Sequence, residues 1–365
     1  MELTAVLTPA EEGGYVALNP ETGTTTQGET VEEAVANLRE ATALYLHQNP
    51  DTPTRHPTGV PWAPAPRTPR MLSYRHAFHA GNDVDVFKHV ALCALISALE
   101  RKDKPFLYVE THAGAGFYNL RSRRAQETSE AALGIRLLWP PMGVDPLQPA
   151  LATYLSEVQR CNGTGGLKRY PGSPWFSQAL LRAADRAVLA ELHPVDHGKL
   201  VRLLRGDKRM TVVQQDGYAL LRALLPPIER RALVFIDPSY ETRDELGRLH
   251  AALVDGRQRF ANGVYAIWYP VGTKHAADSI VAHVTRAART GVRPSKTLDI
   301  RWERAEAHVR GDATDGLRGA GLVIINPPFG LDETLPKELE AVVARLEPGA
   351  RRGRVRAAWT VPESA

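Results

Sequence analysis

The sequence predicts a doubly wound α/β sheet that carries an inserted subdomain and is preceded by a small α+β domain. Three observations lead there. Seven prolines between Asn49 and Arg70 divide an acidic head from a basic body, and that density favours an extended linker over any regular element. In the body, short apolar runs alternate with helix-patterned segments, and successive runs end in a glycine-rich or acidic turn. Such runs describe parallel strands buried on both faces, with ligand groups at their carboxyl ends. The first two of these strand ends lie far apart in sequence, which leaves about 118–185 as an insertion. The division is therefore 1–48, a linker over 49–70, and 71–365.

In the head, Leu3 to Leu7 and Gly14 to Leu18 read as a strand pair around a polar turn. Thr30, with Glu33 three residues on, forms a capping box. Val31, Ala34, Val35, Leu38, Ala41, Leu44 and Tyr45 follow at helical spacing. The body opens with a helix after Asn82, apolar at Val84, Phe87, Val90, Leu95 and Leu99 and ending at Lys102-Asp103-Lys104 before Pro105. Strands are then expected at Phe106–Val109, Ala187–Ala190, Met210–Val213, Ala232–Ile236, Gly263–Trp268 and Leu322–Ile325.

Composition narrows the function classes. The chain has 365 residues, is 43% hydrophobic and 24% charged, and reads as globular. Its longest apolar run, Val90 to Leu99, is too short to span a bilayer. Met1-Glu2-Leu3-Thr4 lacks the basic and apolar regions of a signal peptide. Two cysteines, Cys93 and Cys161, support neither a disulfide framework nor a multi-cysteine zinc site. The expectation is a cytoplasmic protein with no membrane partner. His76 and His79 have ligand-like spacing, but with no third ligand at hand no metal site is assigned. Residues 1–48 hold eight glutamates and one arginine, so the remainder carries +11 of a net +4, a charge suited to a polyanion.

Four strand ends offer in succession a glycine turn, an acid, an acid and an acid: Gly114 and Gly116 after Val109, then Glu191, Asp216 and Asp237. A nucleoside cofactor needs this order. The glycines allow close backbone approach, and the next acid can accept both ribose hydroxyls. A dinucleotide is disfavoured, because position 119 is asparagine and Glu191 lies 75 residues beyond Gly116. Arg121, Arg123, Arg124, Arg136, Arg160, Lys168 and Arg169 make the insertion either an RNA-facing surface or a solvated one.

Asp237-Pro238-Ser239-Tyr240 is similar to the [Asp/Asn]-Pro-Pro-[Tyr/Phe] signature of amino-group methyltransferases. An exocyclic amine is a poor nucleophile because its lone pair is delocalised into the base. A carboxylate and a backbone carbonyl can accept its hydrogens and aim that lone pair at a methyl donor, and Tyr240 supplies a stacking face. Asn326-Pro327-Pro328-Phe329 matches the signature better. It follows an apolar strand expected to run antiparallel, however, which puts it at the wrong edge of the sheet, so it reads as a structural turn.

Two family resemblances follow from these residues. The head resembles the HicB-type antitoxin domain in Glu12-Gly13-Gly14-Tyr15-Val16 and in Gln27-Gly28-Glu29-Thr30-Val31-Glu32-Glu33-Ala34, which leaves open contact with a toxin or a second copy, regulation of the enzyme, or a neutral fusion. In the body, the run Met71 to Asn82, Lys88-His89, Thr111 to Gly116, Tyr170-Pro171-Gly172-Ser173-Pro174, Glu191-Leu192-His193-Pro194 and Asp216-Gly217 resemble the RlmJ family of 23S ribosomal RNA adenine-N6 methyltransferases. The resemblance implies a Rossmann-like sheet, S-adenosylmethionine as cofactor and 23S ribosomal RNA as partner. It also implies that His89, His112, Ser173, Glu191, Asp216 and Gly217 contact the cofactor, and that Asp237 is catalytic, with Tyr240 beside it. Ser239 replaces the family's second proline and loosens the turn.

Read by themselves, several of these residues have plainer roles. Ser173 before Pro174 would cap a helix, and Cys93 would be a buried thiol. DNA adenine-N6 methylation, protein glutamine methylation and a non-catalytic RNA- or toxin-binding role stand as the alternatives. Met71 is also a candidate initiator.

Overall fold

The computed structural model describes residues 5–9, 14–19, 22, 24–48, 80–122, 130–139, 147–240, 242, 244–272, 274–291, 293–305, 317–348 and 352–362. The expected linker, His76, His79, Arg123 and Arg124 lie outside these residues. The chain divides into two compact units, Met1–Met71 and Leu72–Ala365.

In the first unit three antiparallel strands, β1 (Val6–Pro9), β2 (Tyr15–Leu18) and β3 (Thr25–Gly28), pair in chain order and are followed by helix α1 (Val31–Gln48). Ala17, Ala34 and Leu38 form the small core between sheet and helix. The Thr30 hydroxyl accepts from the Glu33 N–H at 3.1 Å, as the capping pattern requires. The reciprocal bond shifts by one residue: the Glu33 carboxylate accepts from the Glu29 N–H at 2.9 Å. Strand β3 is polar throughout and forms by backbone pairing with β2, so hydrophobic pattern marks it only weakly.

The second unit opens with α2 (Asp83–Glu100), β4 (Leu107–Glu110) and β5 (Phe117–Asn119), then α3 (Pro149–Asn162), β6 (Arg169–Pro171) and α4 (Ser173–Leu180). It continues through β7 (Arg186–Ala190), α5 (Pro194–Leu203), β8 (Met210–Val213), α6 (Gly217–Leu224), β9 (Ala232–Ile236) and α7 (Glu245–Arg259). The last part holds β10 (Val264–Val271), α8 (Lys274–Arg289), β11 (Thr297–Glu303), β12 (Gly319–Ile325), α9 (Leu331–Leu346) and β13 (Arg354–Val361). Eight strands form one mixed sheet in the order β13-β11-β12-β10-β9-β4-β7-β8, while β5 and β6 pair separately inside the insertion. Strands β8, β7, β4, β9 and β10 are parallel, and β12 is antiparallel to β10.

Both faces are covered, which explains the continuous apolar character of the inner strands: every residue of β9 is buried. One face packs against α2, α3 and α9, and the other against α6, α7 and α8. Helix α2 is buried along most of its circumference. Asn82 caps it by accepting from the Asp85 N–H at 2.9 Å, and Phe87, Leu92 and Leu95 are fully buried. Each contributes about 1.5–3 kcal/mol by leaving water.

Two sheet strands lie outside the sequence expectation. Strand β11 alternates apolar with charged residues, and β13 is an arginine-bearing edge strand exposed over most of its length. Charges of this kind discourage pairing between molecules at an open edge, and they also make the segment look like surface. Strand β12 is therefore neither last in the chain nor at the edge; it lies between β10 and β11.

Candidate active site

Where β4, β7, β8 and β9 end, the sheet opens into a cavity of about 400 Å³, a size suited to a cofactor or small ligand. Loops at the carboxyl ends of parallel strands converge there because each strand hands its chain to a helix on one face or the other. His89, His112, Ser173, Glu191, Asp216, Gly217 and Asp237 all line it, although they are widely spread along the chain.

Gly114 turns with φ +66°, and its N–H donates to the Glu191 carboxylate at 2.7 Å. The other Glu191 oxygen accepts from the His193 N–H, also at 2.7 Å. Glu191 thus ties the β4 turn to the β7 turn, and its burial pushes its carboxyl above the usual range against these bonds. Asp216 caps α6 by accepting from the Ala219 N–H and also pairs with Arg248. Gly217 is required by close packing rather than by a special φ: a Cβ there would come within 2.0 Å of the Thr111 carbonyl oxygen. His112 has its Nδ1 2.8 Å from the Thr111 hydroxyl, and burial lowers its pKa. The His89 Nδ1 lies 2.9 Å from the Tyr170 hydroxyl, with the ring tilted against Phe176.

Ser173 does not cap its helix. Gly172 occupies the cap position, and the Ser173 hydroxyl donates to Glu110. The sequence pattern allowed a cap, but the helix is capped one residue earlier, at Gly172, and the Ser173 side chain turns inward to the buried Glu110 carboxyl. Glu110 also accepts from the Tyr108 hydroxyl at 3.0 Å, and burial pushes its carboxyl up to about 8.

Asp237 follows β9, and the Lys88 ammonium reaches its carboxylate at 2.7 Å. The same ammonium lies 3.0 Å from Asp85 and 5.2 Å from the centre of the Trp268 ring. Tyr240 stands behind the wall rather than in it: its φ is +57°, it packs against the core, and its hydroxyl donates to the Trp268 carbonyl at 2.7 Å. The aromatic side chain lining the cavity beside Asp237 is Trp268, with Pro270 and Leu317.

Lys88, Glu110 and Trp268 were not singled out individually from the sequence. Glu110 had a signal, a lone carboxylate closing an apolar strand. Lys88 had none of its own, because only packing shows that this residue of α2 is buried and faces a strand end.

Asn326 ends β12 at the opposite edge. Its side-chain amide donates to the Ala261 and Gly263 carbonyls at 2.7 and 2.8 Å, just before β10 begins. The Asn-Pro-Pro-Phe run is therefore a turn distant from the cavity.

The family model described as "RsmJ: Ribosomal RNA large subunit methyltransferase D, RlmJ" matches residues 103–361. Ribosomal RNA large subunit methyltransferase J of Escherichia coli (strain K12) is 40% identical over 294 residues, 80% of this chain and 100% of that protein. The crystal structure of a Legionella pneumophila protein aligns with a TM-score of 0.68 at 34% identity, covering 77% of this chain and 98% of that one. A further 46-residue segment, 12% of this chain, is 50% identical to 64% of a UPF0150 protein of Synechocystis sp..

Proposed function

Because this chain belongs to the RlmJ family of ribosomal RNA large subunit methyltransferases, we propose that it uses S-adenosylmethionine to methylate the N6 amine of an adenine in 23S ribosomal RNA. The observation that carries the residue assignment is the meeting of Asp237-Pro238 with the Gly114 turn, Glu191 and Asp216 around one cavity.

The donor set suits the cofactor. Carboxylates at the β7 and β8 ends match ribose hydroxyls and an adenine amine, and the Gly114 turn brings backbone to the cavity wall. His89, His112, Ser173 and Gly217 complete the wall. When bound, S-adenosylmethionine supplies an electrophilic methyl group. Asp237 and the Pro238 carbonyl would accept hydrogen bonds from the target amine and aim its lone pair, and Asp237 would take up the amine proton as the N–C bond forms and the donor's sulfur–methyl bond breaks to leave a neutral thioether. Trp268, Pro270 and Leu317 offer the base an apolar wall, and Tyr240 braces that wall through the Trp268 carbonyl. The exposed Arg121, Arg136, Arg160, Lys168 and Arg169 of the insertion face the RNA backbone.

Residues 1–48 are read as a HicB-like α+β domain, supported by the β1-β2-β3-α1 order, with a toxin or a second copy as its partner. Co-purification from cells separates the two. The protein works in the cytoplasm, on ribosomal RNA. Mass spectrometry of nucleosides from a deletion strain tests the reaction. N6-methyladenosine should fall in 23S RNA and be unchanged in DNA; loss from DNA alone would favour the DNA alternative.

A further inference from the structure

The cavity is poorly equipped to hold a polyanion. Its lining carries five carboxylates (Glu191, Asp196, Asp216, Asp237 and Glu245) against two cations, Lys88 and Arg248. The opposite edge of the sheet has the reverse character. The turns 101–104, 205–209, 226–231 and 293–296 enter β4, β8, β9 and β11, and together hold ten lysines and arginines and three acids. Lys102, Lys104, Arg205, Lys208, Arg230 and Arg293 are all exposed. From β11 to β8 there are six neighbour steps, so the row extends over roughly 29 Å at the usual strand spacing.

Within this row stand the two most exposed large apolar side chains among the described residues, Phe329 at 92% and Ile228 at 86%. Both sit on proline turns, Pro327-Pro328-Phe329 and Pro226-Pro227-Ile228. The Phe329 turn is held on three sides: by the Asn326 amide on Ala261 and Gly263, by the Asn326 N–H on the Lys296 carbonyl, and by Arg101, which donates to the Phe329 carbonyl. A ring left in water on a well-braced turn loses little order when a base stacks on it.

From this placement we propose that the edge opposite the cavity is a second RNA-binding surface. It holds a segment of ribosomal RNA remote from the target nucleotide, with the backbone along the cation row and an unpaired base on Phe329. Cations interleaved with an exposed aromatic are the usual means of gripping single strands. Asp332 and Glu333 follow Phe329 at the start of α9, so the RNA backbone is placed on the cations of the turns and not on this helix. The inference rests on the RNA reading above.

The test uses the full chain, its triple variant Lys102→Glu/Lys104→Glu/Lys208→Glu, and Phe329→Ala. Filter binding is measured across a salt series with two probes, transcribed large-subunit ribosomal RNA and a short stem-loop that contains the modified adenine. The triple variant should bind the long RNA at least tenfold more weakly, with a salt slope lower by roughly 0.7–0.9 for each phosphate it no longer neutralises. Phe329→Ala should bind severalfold more weakly, and photocrosslinks from the long RNA should fall on the peptide carrying Phe329. Binding and methylation of the stem-loop should stay within twofold of the parent. Unchanged binding of the long RNA, as an acidic-protein occupant would give, overturns the proposal; so does equal weakening on both probes. A parent that binds the long RNA but methylates neither probe overturns the functional reading alone, because filter binding does not depend on turnover.

Discussion

The Lys88 ammonium lies 2.7 Å from a carboxylate oxygen of Asp237, joining a buried helix to the end of strand β9. Both side chains are largely withdrawn from water, and Asp85 shares the same ammonium. A pair of this kind holds the carboxylate in one orientation at the cavity wall. Removing one partner from a buried pair typically costs about 3–5 kcal/mol; Asp237→Asn also removes the charge but keeps the shape and an oxygen that can accept from Lys88, which makes it a cleaner probe than alanine.

Asp237→Asn should bind S-adenosylmethionine within a few-fold of the parent, yet lose turnover by roughly a hundredfold or more at saturating cofactor. Asn326→Ala should keep turnover within a few-fold and lose about 1–3 kcal/mol of stability, since two hydrogen bonds and a residue at φ +54° are disturbed. Single-turnover kinetics with parallel thermal melts decide it. An inactive Asn326→Ala beside an active Asp237→Asn would move the chemistry to the other edge and favour glutamine methylation.

Glu191→Ala should weaken cofactor binding at least tenfold by calorimetry. The carboxylate braces two turns through Gly114 and His193, and charged hydrogen bonds contribute about 1.5–3 kcal/mol each. An unchanged dissociation constant would remove Glu191 from the cofactor site.

Glu110 should make the fold less stable as the solution becomes alkaline. Burial raises its carboxyl from 4.5 to about 8, so between these values the folded chain keeps a proton that the unfolded chain has released. That stability is fully present below about pH 4.5 and is lost as pH rises through about 8. Glu110→Gln, which cannot ionise, should show a shallower decline of Tm from pH 5 to 8 than the parent. Parallel curves for the two proteins would rule out this titration.

A chain beginning at Met71 should fold and methylate RNA by itself, because the two compact units divide at this position. Insolubility, or inactivity on an RNA that the full chain modifies, would make residues 1–70 part of the catalytic fold.

The sequence by itself determined the parallel half of the sheet and most of the groups at its carboxyl edge. A strand covered on both faces must be apolar throughout, as Ala232–Ile236 is, and a polar residue that ends such a strand, like Asp237, lies where strands deliver ligand groups. It also separated Asp237 from the better motif match at Asn326, because strand direction decides which edge a turn occupies. Tertiary structure decided the rest. Strands β11 and β13 are built from alternating and charged residues whose pairing partners are distant in the chain, so local pattern does not mark them. The Ser173 hydroxyl had a local role available as a helix cap, but packing turns it to the buried Glu110 carboxyl 63 positions away. Lys88 became part of the site only through a hydrogen bond spanning 149 positions. Hydrophobic periodicity reports which face of an element is buried; which polar groups meet inside is set by packing between elements far apart in sequence.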